Sequence, residues 1–321
     1  MHSVLLVGVP RGGTTWVGQV LGHTRGAVYV HEPDGTHEPF AFRAKQHHFN
    51  VPMIDAQSPR AAAPELAALF DGALAGGALA GTWRDRLSRR AWSRVSIEEQ
   101  LAARRTGRPS PTLRLALATS QPRVASAHAH ANANGHVVVK TVNSAFCSEW
   151  IARHCTPSAV GVITRHPLNV IASWHEFGWN PPYGPRYRAM CARAHDRWGV
   201  ELPPSDAPGI ERAAASAGAL GFALHEARMR HPDWVDISHE DLCVEPAARF
   251  ADVAARLGLE WNGEAAAQIA SRNRPGTGYA TNRVTADQPD RWRTRLDADD
   301  ARVAGAILER FPAAPWLATL P

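Results

Sequence analysis

The sequence contains very little lysine. Lys45 and Lys140 are the only lysines among 35 basic residues, so arginine carries almost all of the formal net charge of +5. Because arginine and alanine are abundant along the whole chain, a single arginine says little about a site. No block of basic residues resembles a nucleic-acid-binding tail. A basic chain of this kind suits an anionic small molecule, and we expect no nucleic-acid partner.

Cysteine is scarce, and its spacing is typical of neither a metal site nor a redox motif. This pattern favours free, buried thiols in a reducing compartment. The sequence also lacks a carboxylate cluster that could hold a cation, so we expect no metal. The four cysteines are Cys147, Cys155, Cys191 and Cys243.

Long hydrophobic runs are lacking as well. The first apolar run begins a few residues after Met1 and is broken at Gly8 and Pro10. It is too short for a signal peptide or a membrane-spanning helix. We therefore expect a soluble, cytoplasmic protein with no integral membrane segment.

What the sequence does contain is an alternation of apolar, strand-like runs with helix-like segments. A chain of 321 residues with 45% hydrophobic content can form one large α/β domain or two small ones. Strands that alternate with helices predict a mostly parallel sheet covered by helices on both faces, with ligands at the carboxyl ends of the strands. The predicted strands are 4–9, 27–31, 136–141, 159–164 and 234–238, and the predicted helices include 14–23, 145–154, 167–177 and 212–230.

Residues 51–135 differ from the rest of the chain. Ala, Arg, Ser and Pro dominate this stretch, and its apolar periodicity is weak. We interpret it as a variable helical or loop insertion that could cover a substrate.

The stretch "LLVGVPRGGTTWVGQVL", residues 5–21, has the pattern of a phosphate-binding loop. Gly12 and Gly13 allow the backbone to approach an anion, and the hydroxyls of Thr14 and Thr15 add donors. A nucleoside-triphosphate loop requires a lysine after the second glycine of its motif, and threonine stands there instead. With Arg11 before the glycines, the loop suits a 5′-phosphate with one further small anionic group better than Mg·ATP.

The stretch "GVITRHPLNVIASWHEF", residues 161–177, contains a second candidate anion site. An apolar strand leads to Arg165, and Pro167 then begins a helix. Arg165 and Ser173 could both reach one phosphate, since arginine is well suited to a doubly charged oxyanion.

Both stretches resemble motifs of the sulfotransferases that use 3′-phosphoadenosine 5′-phosphosulfate (PAPS). Residues 10–16, PRGGTTW, fit the family's 5′-phosphosulfate loop, and Arg165 with Ser173 eight residues later fits its 3′-phosphate motif. The resemblance implies a single domain over residues 1–321 with a three-layer P-loop-type fold, a central parallel sheet between helices. It also implies PAPS as co-substrate, 3′-phosphoadenosine 5′-phosphate (PAP) as product, and in-line transfer of a sulfo group without a metal.

The resemblance extends to two further stretches near the C-terminus. In "WVDISHEDLCVEPAARFADVAARLGLEW", His239 stands where the family often has an aromatic residue beside the adenine. In "RNRPGTGYATNR", Arg274 and Gly276 are the nearest matches to a loop that closes over the 3′-phosphate, although the departure from the family pattern is large. The implied binding residues are Arg11, Gly12, Gly13, Thr14, Thr15, Trp16, Arg165, Ser173, His239, Arg274 and Gly276.

The catalytic residues depart from one branch of the family. Cytosolic members read K-T-H on the third strand and use the histidine as base, whereas here Lys140 is followed by Thr and Val. Some bacterial and Golgi members instead use a glutamate in an E-P pair after the second strand, which implies Glu32 as base, with His31 as the alternative. The resemblance further implies Arg11 and Lys140 as the cations beside the leaving group.

Two other functions remain open at this point. A P-loop nucleotide kinase would need the missing lysine and a magnesium-binding aspartate, and a non-catalytic nucleotide-binding relative would need neither. The acceptor is a small molecule, carbohydrate or glycolipid with a hydroxyl or amine, and the sequence distinguishes neither among these nor among oligomeric states.

Overall fold

A computed structural model describes residues 1–35, 39–45, 52–76, 83–106, 108–120, 135–178, 184–276 and 282–317. Within these ranges the chain forms one five-stranded parallel sheet with the strand order β2-β3-β1-β4-β5. The sheet confirms the predicted α/β class. The strands are β1 (His2–Gly8), β2 (Ala27–His31), β3 (His136–Thr141), β4 (Ala159–Thr164) and β5 (Val235–Ser238).

The described residues also form fourteen α-helices. Their bounds are α1 Thr14–Leu21, α2 Pro39–Lys45, α3 Pro64–Leu74, α4 Trp83–Trp92, α5 Ile97–Thr106, α6 Pro111–Thr119, α7 Ser148–Cys155, α8 Pro167–Glu176, α9 Pro185–Trp198, α10 Gly209–Arg230, α11 His239–Val244, α12 Pro246–Arg256, α13 Gly263–Arg272 and α14 Ala298–Leu308. None of these helices is long and apolar enough to span a membrane.

The predicted strand boundaries differ from the observed ones by at most two residues. The strands could be recognised because they are nearly continuous apolar runs, as expected for a parallel sheet buried on both faces. The predicted helix 145–154 is split, since a 3-10 turn over Ala145–Cys147 precedes α7. Helix α10 begins three residues earlier than predicted, at Gly209.

The chain divides into two compact units that interleave in sequence. The first unit comprises residues 1–5 and 26–158. In it β2 pairs with β3, and the register places His31 opposite Lys140. Helices α3 to α6 lie within the predicted insertion, where α4 packs on α6 and α3 packs on β3 and α7. Whether residues 51–135 are an insertion into a single domain stays a prediction.

The second unit comprises residues 6–25 and 159–321. In it β4 pairs with β5, and the long helix α10 packs on α8, β4 and α14. A Cβ atom at Gly218 of α10 would lie 2.3 Å from the ring of Phe311, so glycine is required for this close packing. Phe311 in turn packs against Trp198, Phe222 and Trp316.

Candidate functional site

The loop that the sequence predicts to bind phosphate connects β1 to α1 in the second unit through a tight turn. The N–H of Gly12 donates to the carbonyl of Val9 at 3.0 Å, and Gly13 has a left-handed φ of 80°. A Cβ at Gly13 would lie 2.1 Å from Cδ2 of His239, so a side chain could not fit there. Among the described residues no side chain caps the N-terminus of α1. The N–H groups of its first turn are therefore available to an anion.

The carbonyl groups of this loop are held by donors from other elements of the same unit. Trp174 Nε1 donates to the carbonyl of Pro10 at 3.1 Å, and Arg165 Nη1 donates to the carbonyl of Arg11 at 2.9 Å. Arg11 itself has a left-handed φ of 66°, which is uncommon for a residue with a side chain. The carbonyl oxygens of Val9, Pro10 and Arg11 are therefore all engaged within the protein.

The side chain of Arg11 contacts the second predicted anion site. Its Nε donates to Ser173 Oγ on α8 at 3.1 Å, and its guanidinium lies 4.0 Å from the centre of the Phe177 ring. The serine predicted to pair with Arg165 therefore contacts Arg11, 162 residues away in sequence. The structure thus brings together residues from both motifs.

Arg165 stands directly after β4, as predicted. Its Nε is buried and has no hydrogen-bond partner among the described residues. The pKa of Arg165 is lowered to about 10, chiefly by burial and to a smaller extent by the positive charge of Arg11, whereas Glu240 acts in the opposite direction. A buried cation with an unused donor can be stabilised by an incoming anion.

Three further arginines of the second unit, Arg283, Arg291 and Arg295, were not predicted. Burial lowers the pKa of Arg283, and the charges of Arg291 and Arg11 lower it further. Burial and Arg291 likewise lower the pKa of Arg295, although Arg295 forms an ion pair with Glu176. These mutual effects show that several guanidinium groups share one region of the second unit. The sequence signal was the run "RWRTR" at 291–295, which the general abundance of arginine concealed.

His239 lies against the same loop. It is buried, and its ring meets Trp16 edge-on with the ring centres 5.7 Å apart. Burial, reinforced by Arg165, holds the pKa of His239 well below its ordinary value, so the ring is neutral. The predicted contact of Trp16 and His239 with an adenine stays a prediction.

The structure places Arg274 and Gly276 differently from the other predicted residues. Arg274 is exposed, and its backbone N–H donates to the carbonyl of Arg272. A Cβ at Gly276 would lie 2.5 Å from the carbonyl oxygen of Asn282, which explains the glycine by backbone packing. Residues 277–281 of this stretch lie outside the described ranges.

The candidate catalytic residues of the first unit form a cluster of their own. Lys140 is fully buried on β3, and its Nζ forms an ion pair with Glu32 Oε1. The backbone N–H of Glu32 donates to the carbonyl of Lys140 at 2.8 Å, and Glu32 has a left-handed φ of 41°. Burial lowers the pKa of Lys140, whereas the charge of Glu32 raises it.

His31 is close to this pair but more exposed. Its Nε2 lies 3.8 Å from Glu32 Oε1, and its Nδ1 lies 3.0 Å from the hydroxyl of Tyr29. The side chain of His31 is 47% exposed, compared with 22% for Glu32. Glu32 is therefore the less exposed of the two candidate bases.

Asp34 is a buried acidic residue that the sequence did not single out. Its Oδ2 accepts hydrogen bonds from the hydroxyls of Thr141 and Ser144, both at 2.7 Å. Its Oδ1 is buried without a partner among the described residues. The stretch that could have indicated Asp34 is "HEPDG", in which the E-P pair drew attention to Glu32 alone. Asp34 therefore holds Thr141, the last residue of β3, and Ser144, which lies beyond the end of the strand.

A metal centre finds no support in the described part of the chain. No three His, Cys, Asp or Glu side chains there lie close enough together to hold a metal ion. The four cysteines are free in the structure, and three of them are buried.

Comparisons with known proteins give a likeness of fold. No protein-family model matches the chain, and no curated protein matches it. Among solved structures, the chain is similar to the "Sulfotransferase Domain from the Curacin Biosynthetic Pathway", with 12% identity over 95% of this chain and 97% of that one, and a TM-score of 0.45. It is also similar to the "Sulfotransferase Domain from the Synechococcus PCC 7002 Olefin Synthase", with 13% identity over 96% and 94%, and a TM-score of 0.42. Both neighbours are sulfotransferase domains, and at these identities the likeness is one of fold alone.

Proposed function

We propose that the protein is a sulfotransferase that moves a sulfo group from PAPS to a hydroxyl or amine of a small-molecule, carbohydrate or glycolipid acceptor. The observation that carries the proposal is the pair of anion-binding features in the second unit. One is the loop with the uncapped N-terminus of α1, and the other is the group of arginines around Ser173. A nucleotide with phosphates at both its 5′ and 3′ positions provides an anion for each.

The donor set of these residues fits such a nucleotide. The backbone at Gly12 and Gly13 and the hydroxyls of Thr14 and Thr15 would hold the 5′-phosphosulfate. Ser173 and the guanidinium groups of Arg11 and Arg165 would hold the 3′-phosphate, which the unpartnered Nε of Arg165 supports. Trp16 and His239 would border the adenine. The bound nucleotide supplies the sulfo group, and Arg274 and Gly276 remain candidates for closing over its 3′-phosphate.

The remaining chemistry falls to Glu32, Lys140 and Arg11. As the acceptor oxygen or nitrogen bonds to sulfur, the sulfur–oxygen bond to the leaving phosphate breaks and the acceptor proton passes to Glu32. Lys140 holds the Glu32 carboxylate in an ion pair before the transfer. Arg11 and Lys140 offset the negative charge that develops on the leaving group. His31, 3.8 Å from Glu32, is the alternative base.

The proposal is tested by ligand-dependent stability together with a transfer assay. PAP at about 100 times its Kd should add about 2.7 kcal/mol to the free energy of unfolding, whereas Mg·ATP should add little. Incubation with PAPS and a panel of acceptors should then give a product whose mass increases by one sulfo group. A larger stabilisation by Mg·ATP would favour a kinase, and a PAP effect without any transfer would favour a non-catalytic nucleotide-binding protein.

A matched pair of variants controls this experiment. Arg283→Gln should reduce the stabilisation by PAP because it removes one cation from the group around Arg11. Arg302→Gln, in the same unit, removes an arginine whose side chain is 72% exposed on α14. Its response to PAP should equal that of the original chain.

A further inference from the structure

Asn169 is a buried polar residue in the first turn of α8 for which the proposed chemistry has no use. Its side chain is 2% exposed. Its Nδ2 donates to Glu240 Oε1 at 3.1 Å and to the carbonyl of Pro289 at 2.7 Å, and its Oδ1 accepts from the N–H of Trp292 at 3.0 Å. One amide group therefore joins α8, the start of α11 and the chain segment around residue 290.

The segment joined to Asn169, residues 282–296, is the arginine arm. It carries Arg283, Arg291, Arg293 and Arg295, and its regular structure is limited to 3-10 turns at Thr285–Asp287 and Arg291–Thr294. Because such turns do not hold a segment in place, the position of the arm depends on its anchors. Asn273 Oδ1 accepts from the N–H of Thr285 at 3.1 Å and holds the beginning of the arm. Asn169 holds its middle.

The anchored residue Trp292 lies between Arg291 and Arg293. Its ring is buried and stacks against His166 at 6.1 Å with an interplanar angle of 10°. Its carbonyl accepts from the backbone N–H of Arg295 at 3.0 Å, and the side chain of Arg295 forms an ion pair with Glu176 on α8, the helix that carries Ser173. A shift of Trp292 would therefore move Arg295 relative to Ser173.

The same amide also holds the carboxylate that opposes the charge of Arg165. Glu240 Oε1 accepts from Asn169 Nδ2 and from the backbone N–H of His166 at 3.0 Å. Glu240 is the principal acidic influence on the pKa of Arg165. Asn169 is thus hydrogen-bonded both to the arginine arm and to Glu240, and all of these bonds are to protein groups.

We infer that Asn169 is a positioning residue for recognition of the 3′-phosphate. It acts through the arginine arm and through Glu240, and it does not itself contact the nucleotide. The inference rests on the proposed function, because the ligand in question is the 3′-phosphate of PAPS or PAP. It goes beyond that proposal because it attributes the placement of several arginine side chains to the side-chain amide of Asn169.

The test compares two nucleotides that differ only in the 3′-phosphate. Calorimetry measures the Kd for PAP and the Kd for adenosine 5′-phosphate. The Kd for adenosine 5′-phosphate divided by the Kd for PAP reports how strongly the 3′-phosphate is recognised. Asn169→Ala should reduce this ratio by about tenfold or more, because charge-assisted hydrogen bonds to the phosphate lose their geometry. The Kd for adenosine 5′-phosphate should change little, and the KM for PAPS should rise more than kcat falls.

Two further variants separate positioning from a general loss of stability. Phe311→Leu weakens the packing against α9 and α10, and it should lower the Tm without changing the ratio. Asn169→Asp keeps the side-chain size and the acceptor for Trp292, but it places a carboxylate against Glu240, so the ratio should still fall. It serves as the test if Asn169→Ala does not fold.

The outcomes distinguish the inference from the proposed function. A large ratio in the original chain that persists in Asn169→Ala and Asn169→Asp would overturn the inference and leave the proposed function intact. A ratio near one in the original chain would overturn both. A ratio that falls equally in Phe311→Leu would reduce Asn169 to a structural residue.

Discussion

In the first unit the candidate catalytic residues Lys140 and Glu32 form an ion pair, whereas in the described part of the second unit several guanidinium groups lower one another's pKa. Lys140 is buried against Glu32, and Asp34 against two hydroxyls. In the described part of the second unit, by contrast, five guanidinium groups influence one another's pKa, and two carboxylates act on them in the opposite direction. The guanidinium groups are those of Arg11, Arg165, Arg283, Arg291 and Arg295, and the carboxylates are those of Glu176 and Glu240.

This difference separates two uses of charge in a folded protein. A buried charge that meets its counter-ion is neutralised by the fold itself, and removing one partner is strongly destabilising. Like charges that lie close together destabilise the folded state until a bound anion offsets them. We therefore expect substitutions in the first unit to affect the chemical step and the stability, and substitutions in the second to affect ligand affinity.

The largest expected effect is that of Glu32→Gln on turnover. Loss of a general base should lower kcat by about 10²- to 10⁴-fold. The Kd for PAP should stay within about twofold of the original, because the base acts on the acceptor and contributes nothing to donor binding. Steady-state kinetics with PAPS and calorimetry with PAP measure the two quantities.

His31→Gln is the matched control for this substitution. It replaces the neighbouring, more exposed candidate by the same amide and should leave kcat nearly unchanged. If kcat instead survives in Glu32→Gln and collapses in His31→Gln, the base is His31.

The next effect concerns the stability of the Asp34 group. Asp34→Ala leaves the buried hydroxyls of Thr141 and Ser144 without their acceptor. We expect the free energy of unfolding to fall by about 2–6 kcal/mol, since each of the two unsatisfied buried donors is unfavourable by about 1–3 kcal/mol. Urea denaturation followed by fluorescence measures the change.

The triple variant Asp34→Ala, Thr141→Val, Ser144→Ala sharpens this measurement. Removing the donors together with the acceptor should restore part of the lost stability, because no polar group is then left unsatisfied. Additive losses would show that the three residues do not act as one group, and the contrast between the units would then fail.

The smallest effect is the pH dependence caused by His166 in the second unit. Burial lowers the pKa of His166 from 6.5 to about 4, and Arg293 contributes in the same direction. The folded state therefore binds the proton less readily than the unfolded state. The resulting stability is fully present above pH 6.5 and is lost as the pH falls from 6.5 towards 4, by about 1–3 kcal/mol.

His166→Asn should remove this part of the pH dependence. The Nδ1 of His166 accepts from the N–H of Leu168 at the start of α8, and asparagine is also a favourable residue at that position. Denaturation curves at pH 7 and pH 4.5 compare the two chains. An equal loss of stability in both would assign the pH dependence to other groups, among them the buried His239.

Much of the fold could be predicted because the strands are continuous apolar runs. Val4 to Val7 and Val137 to Val139 are almost fully buried, and such runs are readable without knowing what covers them. The predicted phosphate-binding loop could be recognised for a similar reason, since Gly12 and Gly13 mark a turn that approaches its neighbours closely. Both features depend on residues that are adjacent in sequence.

The arginine arm could not be predicted in the same way. Arg283, Arg291 and Arg295 look like any other arginine in a chain rich in them, and Arg11 meets Ser173 across 162 residues. The resemblance pointed to Arg274 and Gly276, which precede the arm by only a few residues. The importance of Asn169 was hidden because its three partners come from distant parts of the chain.

By itself the sequence determined the alternation of strands and helices, the glycine turn before α1, and the residues with the chemistry to bind anions. Local patterns were sufficient for these because backbone geometry and apolar burial act over a few residues. Only the tertiary structure decided which arginine meets Ser173, that Lys140 is neutralised by Glu32, and that one amide anchors the arginine arm. Charges and hydrogen bonds act between groups close in space, and folding alone brings those groups together.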